Sequence, residues 1–228
     1  MACILSIETS TNVCSIAVHL NGILVALSEV HIDQSHASKL PELVRQTLSG
    51  AGVSFSGLQA VAVSSGPGSY TGLRIGTSTA KGIAYALSIP IIAVTSLEIL
   101  ASQMNSYNTG RFLLCPMIDA RRMEVYCALF DSELSQVLPT QAMVIDNNSF
   151  NDVLSVNSIL FFGNGAQKCK GVIEHPNAFF IPDVYPSASK LGDMALKKYN
   201  TQSIENLENF EPFYLKDFVA KSPSKSIL

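Results

Sequence analysis

The segment Ser64-Ser65-Gly66-Pro67-Gly68-Ser69-Tyr70-Thr71-Gly72-Leu73-Arg74-Ile75-Gly76 constrains the fold more than any other part of this chain. An apolar run from Leu58 to Ser65 reads as a buried strand, and it passes through this turn into a helix-forming stretch of small residues, Gly72 to Leu87. Glycine costs order and packing, so its density here requires a reason. Either the backbone needs positive φ or close approach at the turn, or exposed N–H groups at the helix start hold an anion. Neither standard nucleotide loop is present. A Walker loop needs G-x-x-x-x-G-K-[ST], but Pro67 stands five positions before Gly72 and Leu73 follows it; Gly66-x-Gly68 meets Thr71 where G-x-G-x-x-G needs a third glycine. The alternative is packing: Gly72, Gly76, Ser78, Ala80, Gly82, Ala84 and Ala86 make a thin helix, suited to a place between a sheet and a second helix or subunit.

The rest of the sequence supplies the layers. Cys3 to Glu8 reads as a buried strand, a second strand follows, Asn21-Gly22 is a two-residue hairpin signal, and Ile23 to Val30 completes a meander. From His36 to Ser49 the period becomes helical, with Leu40, Leu43, Val44, Thr47 and Leu48 on one face and Gly50 and Gly52 as stops. That face is either ordinary core, or Leu40, Leu43 and Thr47 reach a partner's matching helix. Ile91 to Val94 reads as a strand, and Thr95 or Ser96 caps a helix that runs to about Met104. The polar stretch Asn105 to Gly110 marks a boundary. The second half then begins like the first: strand Phe112 to Ile118, polar turn Asp119-Ala120-Arg121-Arg122, alternating strand Glu124 to Phe130. This echo suggests a duplicated architecture. Further on, Asp146 to Asn151 reads as loop, Ile159 to Phe162 as strand and Ala188 to Tyr199 as helix.

Composition narrows the function classes. The 228 residues are 47% hydrophobic and 14% charged, which predicts a compact α/β protein with a sizeable core. A net charge of −3 leaves no general attraction for nucleic acid, so RNA contact is expected only through a partner. Five cysteines without a C-x-x-C pair read as reduced core residues, and four histidines, none three or four residues apart, argue against a zinc site. The N-terminal residues lack a basic leader, and no run of eighteen apolar residues occurs, so a cytoplasmic protein without a membrane span is expected. The turn Glu8-Thr9-Ser10-Thr11-Asn12 could hold a nucleotide's phosphates and magnesium, and Asp119, at the equivalent place in the second half, could hold a metal; each is equally a common solvated turn.

Taken together, Ile4 to Thr11, the run from Ser64 to Gly82, Ile91 to Leu97 and Asp119 to Tyr126 resemble the bacterial TsaB (YeaZ) family, with weaker likeness at Gly163-Asn164-Gly165 and Glu211 to Leu215. The resemblance implies an actin-like, hexokinase-like and Hsp70-like ATPase fold of two related subdomains, the second reduced. On that basis residues 1–104, completed by the C-terminal segment 210–228, form one subdomain and residues 105–209 the other. It further implies a non-catalytic scaffold that pairs with the catalytic subunit TsaD. The complex moves a threonylcarbamoyl group from its adenylate to adenosine 37 of tRNAs reading codons that begin with A, supported by the ATPase TsaE. In TsaD an H-x-x-x-H metal pair follows the strand; Ser96-Leu97-Glu98-Ile99-Leu100 stands here, so no metal and no tightly bound cofactor are expected, although ATP or ADP could sit at a subunit interface. The expected partner surface is Leu40, Leu43, Thr47, Arg74, Ser78, Lys81 and Gly82, also used for a homodimer when the chain is alone. Glu8, Thr9, Ser10 and Asp119 are the nucleotide candidates under the competing reading, an active ATPase or small-molecule kinase of the same fold. Lys216, Lys221 and Lys225 in the tail could add an RNA or partner contact, or form a solvated terminus.

Overall fold

The computed structural model describes residues 2–31 and 36–216. Strands β1 (Cys3–Glu8), β2 (Val13–Leu20) and β3 (Ile23–His31) form an antiparallel meander. Asn21 and Gly22 turn β2 into β3 with φ of 51° and 84°, the left-handed pair that a two-residue hairpin of this twist requires. Helix α1 (His36–Gly50) leads to β4 (Ala60–Ser64), parallel to β1, and α2 (Tyr70–Leu87) leads to β5 (Ile91–Val94), parallel to β4. The sheet order is β3-β2-β1-β4-β5. Strands β1, β4 and β5 are buried at every residue, which is why they read as unbroken apolar runs and not as alternation.

After α3 (Ser96–Asn105) the pattern repeats. Strands β6 (Leu113–Asp119), β7 (Glu124–Phe130), β8 (Gln136–Val144), β9 (Ile159–Phe162) and β10 (Ala178–Ile181) form a second sheet whose order, β8-β7-β6-β9-β10, matches the first strand for strand. The antiparallel meander and the two parallel additions recur as well. The fold is therefore the duplicated actin-like α/β architecture. Its second half is reduced: one-turn helices α4 (Asn151–Leu154) and α5 (Ala166–Cys169) stand where the first half has 15- and 18-residue helices.

The helix that closes each half packs on the other. Helix α3 lies on β6 and β7, while α6 (Ala188–Asn200) lies across β1, β2, β4 and β5. Residues 105–209 are thus not one unit, and the expected boundary is corrected at its far end. Leu191 and Ala195 of α6 cover Ile4, Ala60, Ala62, Ile92 and Val94, the face of the first sheet opposite α1 and α2. Gly192 permits this, because a Cβ there would stand 2.0 Å from the buried ring of His19. The chain stays with the first half beyond α6: Glu205 bridges to Ile91, Phe210 enters the first core, and the Phe213 N–H donates to the Ser65 carbonyl at 2.7 Å. Residues 217–228 of the C-terminal segment, with Lys221 and Lys225, lie outside the described residues. All five cysteines are unpaired and buried. No helix among the described residues is long and apolar enough to cross a membrane.

Candidate functional site

The glycine-rich turn is built for contact between backbones. A Cβ on Gly68 would stand 2.2 Å from the Ser10 carbonyl oxygen, and one on Gly76 would stand 2.2 Å from Thr9 Oγ1. Gly66 has φ of +105°, with the Phe213 carbonyl oxygen 2.9 Å from its missing Cβ. The β1–β2 turn thereby nests against the start of α2, where the Thr9 hydroxyl donates to the Gly72 carbonyl at 2.9 Å. Two of the amides at this helix start are already used: Ser69 N–H donates to the Ser10 carbonyl at 2.6 Å, and Gly72 N–H to Ser69 Oγ at 3.2 Å. Of the two explanations for the glycines, close approach is the one the geometry realises.

Above this nest, the β1–β2 turn and its counterpart between β6 and β7 face each other across a cleft of about 450 Å³. The first half contributes Ser10, Thr11, Asn12, Ser69 and Tyr70, the second Asp119, Arg121, Tyr126 and Asn164, and Lys216 lies between them. Only two of the four nucleotide candidates, Ser10 and Asp119, reach it. Thr9 is committed to α2 beneath the floor. Glu8 is fully buried; one carboxyl oxygen accepts the Ser10 N–H at 2.5 Å and the other has no hydrogen-bond partner. Burial pushes its pKa up, opposed only in part by neighbouring groups such as the Ser10 N–H it accepts. A magnesium ligand must be reachable from the cleft, and Glu8 is sealed beneath it.

Asp119 is reachable but occupied. It forms an ion pair with Lys168 of α5, and the same carboxylate oxygen accepts the Arg121 N–H at 2.9 Å. Lys168 also donates to the carbonyls of Arg122 (2.7 Å) and Glu124 (2.6 Å). These bonds hold Arg121 and Arg122 at φ of 69° and 47°, a region that costs a residue with a side chain on the order of 1–2 kcal/mol. The charge of Asp119 thus stabilises its own turn. Lys168 is separated from it by 49 positions and carries no pattern of its own. A partial signal did exist in Gly163-Asn164-Gly165: a Cβ on either glycine would strike the backbone at the end of β6, and Asn164 Oδ1 accepts the Asp119 N–H at 3.1 Å.

At the start of α3, Thr95 and Glu98 form a capping box. Ser96 and Leu100, one helical turn apart, are both completely buried. A hydroxyl and an isobutyl group supply no metal ligand set, and among the described residues no three His, Cys, Asp or Glu side chains come together.

The expected partner residues divide. Leu40, Leu43 and Thr47 are 0%, 8% and 2% exposed and belong to the first core. Helix α1 turns them onto its own sheet, and the Thr47 hydroxyl donates to the Leu43 carbonyl at 2.6 Å and lies 2.8 Å from Ser28 Oγ. They are corrected from interface to core, because the apolar stripe of a lone helix is needed first by its own domain. Lys81 is half-buried and donates to the carbonyls of Glu208 and Phe210 at 3.1 Å each, so it anchors the C-terminal segment. Arg74, Ser78 and Gly82 are exposed on α2, in one stripe with Thr71 and Tyr85, and nothing lies within 4 Å of a Cβ on Gly82.

The geometry has counterparts in known proteins. The family model described as TsaD, tRNA N6-adenosine threonylcarbamoyltransferase, matches residues 30–223. The tRNA threonylcarbamoyladenosine biosynthesis protein TsaB of Bacillus subtilis is 33% identical over 176 residues, 75% of each chain. The chain belongs to the TsaB family. The TsaB of Escherichia coli is 35% identical over 130 residues, a match that spans 57% of this chain and 55% of that protein. Among solved structures, a Pseudomonas aeruginosa protein described as similar to peptidase YEAZ superposes with a TM-score of 0.84 at 28% identity, covering 95% of this chain and all of the other. A structure described as YeaZ from the same organism gives 0.79 at 27% identity, covering 94% and 100%. The two structural likenesses extend over both halves of the chain.

Proposed function

We propose that this TsaB-family chain is the non-catalytic subunit that docks a TsaD-type transferase, and so supports transfer of threonylcarbamoyl from its adenylate to N6 of adenosine 37 in tRNA. The observation that carries the reading is the outward stripe of α2, in which Thr71, Arg74, Ser78 and Gly82 present small side chains and one guanidinium over three helical turns. Two helices approach closely where side chains are small, and the guanidinium supplies directional donors for a partner's carboxylate or carbonyl. The absence of a free carboxylate pair in the cleft supports placing the chemistry in the partner: Glu8 is sealed and Asp119 is neutralised by Lys168. In this reading ATP or ADP sits between subunits, TsaE acts on the assembled pair, tRNA is held by the complex, and the free chain self-associates through the same stripe.

The test is association of the purified chain with a TsaD-type subunit, measured by light scattering and calorimetry. Ser78→Arg places a long charged side chain in the middle of the stripe without touching the core. Association weakened by at least tenfold, about 1.4 kcal/mol, is expected. Undiminished association, or threonylcarbamoyl transfer by this chain without a companion, would overturn the assignment.

A further inference from the structure

Residues 205–216 run from the first half of the molecule to the second with little regular structure, and several of their contacts fall on the glycine turn, on α2 and on β7. Glu205 N–H donates to the Ile91 carbonyl at 3.0 Å, and Lys81 of α2 grips the carbonyls of Glu208 and Phe210. Phe213 lies on the glycine turn, its N–H bonded to Ser65 and its carbonyl filling the space beside Gly66. The ring of Tyr214 sits 4.9 Å from that of Tyr70 at 41°. The Arg74 guanidinium lies 4.4 Å from the centre of the Tyr70 ring, and the Tyr214 hydroxyl favours its charged form. Two residues later Lys216, itself lining the cleft, forms an ion pair with Glu124 at the start of β7, the strand that follows the Asp119 turn of the opposite wall.

We propose that residues 205–216 are a strap that couples docking on the outer face of α2 to the far wall of the cleft, an inference that rests on the docking reading above. Arg74 is the link. It belongs to the exposed stripe of α2 and also to the Tyr70–Arg74–Tyr214 cluster, so a partner group that takes its donors must change what Tyr214 rests on. A ligand shifts an equilibrium only through such differential contacts. Tyr214 and Lys216 are close enough in the chain that a displacement of the first is felt by the second, and Lys216 is tied to the β6–β7 turn region through Glu124. The strap is also a segment that can move at low cost. Outside Phe210 it is exposed or half-buried, and it is held by a few contacts and no ladder of backbone bonds. The coupling is reciprocal: whatever fixes Glu124 and Lys216 also stiffens the Arg74 face.

Hydrogen exchange read by mass spectrometry on the full chain, alone and with a TsaD-type subunit, tests this. With the partner, amides of α2 slow, and amides of residues 119–124 change by at least about fivefold although they lie outside the stripe. In Tyr214→Ala the α2 protection remains and the change at 119–124 is lost; Tyr214→Phe, which keeps the ring, loses only part of it. Protection of α2 with no change at 119–124 in the wild type overturns the strap and leaves the docking reading intact. A complex that forms without protecting α2 overturns the docking reading instead. In that event the strap is judged on the isolated chain, where Arg74→Ala must alter exchange at both 205–216 and 119–124; an effect confined to residues near Arg74 overturns it.

Discussion

Two glycines of α2 give opposite answers to the same substitution. Gly76→Ala puts a methyl group 2.2 Å from Thr9 Oγ1, inside a fully buried contact, whereas Gly82→Ala meets nothing within 4 Å. Intrinsic helix propensity favours both changes by about 1 kcal/mol. At Gly82 that gain stands alone, so stabilisation of roughly 0.5–1 kcal/mol is expected, a rise of about 1–4 °C in Tm for a chain of this size. At Gly76 overpacking costs about 1–3 kcal/mol, and displacing the Thr9 hydroxyl from the Gly72 carbonyl costs about 1 more. The net is destabilisation by about 1–3 kcal/mol, so the two variants differ by roughly 2–4 kcal/mol in urea unfolding. Removing the obstructing oxygen separates this cause from any general effect of the substitution. In a Thr9→Ala background the penalty for Gly76→Ala falls by at least about 1 kcal/mol, a coupling typical of residues in contact. Equal unfolding midpoints for Gly76→Ala and Gly82→Ala would refute the claim that this glycine exists for close approach.

Lys168→Met removes the cation that holds the Asp119 turn, leaving two left-handed arginines with fewer restraints; destabilisation of about 2 kcal/mol is expected in urea unfolding. The measurement is matched by exchange at residues 119–124, which accelerates if the turn loosens and is unmoved if Lys168 is a bystander. Glu8→Gln keeps the acceptor for the Ser10 N–H and removes the ionisable oxygen. Because burial raises the folded pKa of Glu8, wild-type stability is eroded as pH climbs above the ordinary glutamate value of about 4.3, where the unfolded chain ionises freely and the folded one resists. The advantage of the glutamine variant should therefore widen with rising pH and vanish below that value; a pH-independent gap would mean that Glu8 ionises normally in the fold.

Much of the fold was legible because local signals agreed with tertiary demand. Asn21-Gly22 could only be a tight turn, the buried parallel strands read as apolar runs, and the capping box at Thr95 and Glu98 fixed the start of α3. Strand β8 was missed because it is an edge strand containing Pro139 with little full burial, and β10 because four residues hold no period. Helix α6 was found but assigned to the wrong half, since nothing along the chain says that Gly192 faces His19, 173 positions away. The site was less legible for the same reason. Periodicity marks an apolar face without saying who covers it, so Leu40, Leu43 and Thr47 looked like partner residues until the first sheet was seen to take them. Lys168 and Lys216 act through ion pairs made across the fold, and a lone lysine leaves no trace in one sequence.

The exchange of closing helices explains how a reduced half can persist. With only one-turn helices α4 and α5 of its own, the second sheet lacks the long helices that cover one face of the first. It is completed from outside: α3 supplies Leu97, Leu100 and Ala101 to Leu114, Ile118, Ala128 and Phe162. In return α6 covers the first sheet, so neither half has a finished core without the other. Such a molecule is committed to one cleft geometry by its cores and not by a bound ligand, because the apolar area at both swapped helices is lost together if the halves part. The long helices are kept where the second half has lost them, and α2 is the one whose outer stripe is narrow enough to be approached. Under the docking proposal the reduced half and the thin exposed helix of the other belong together: the swapped helices fix how the halves meet, and the outer face of α2 is left open to a partner.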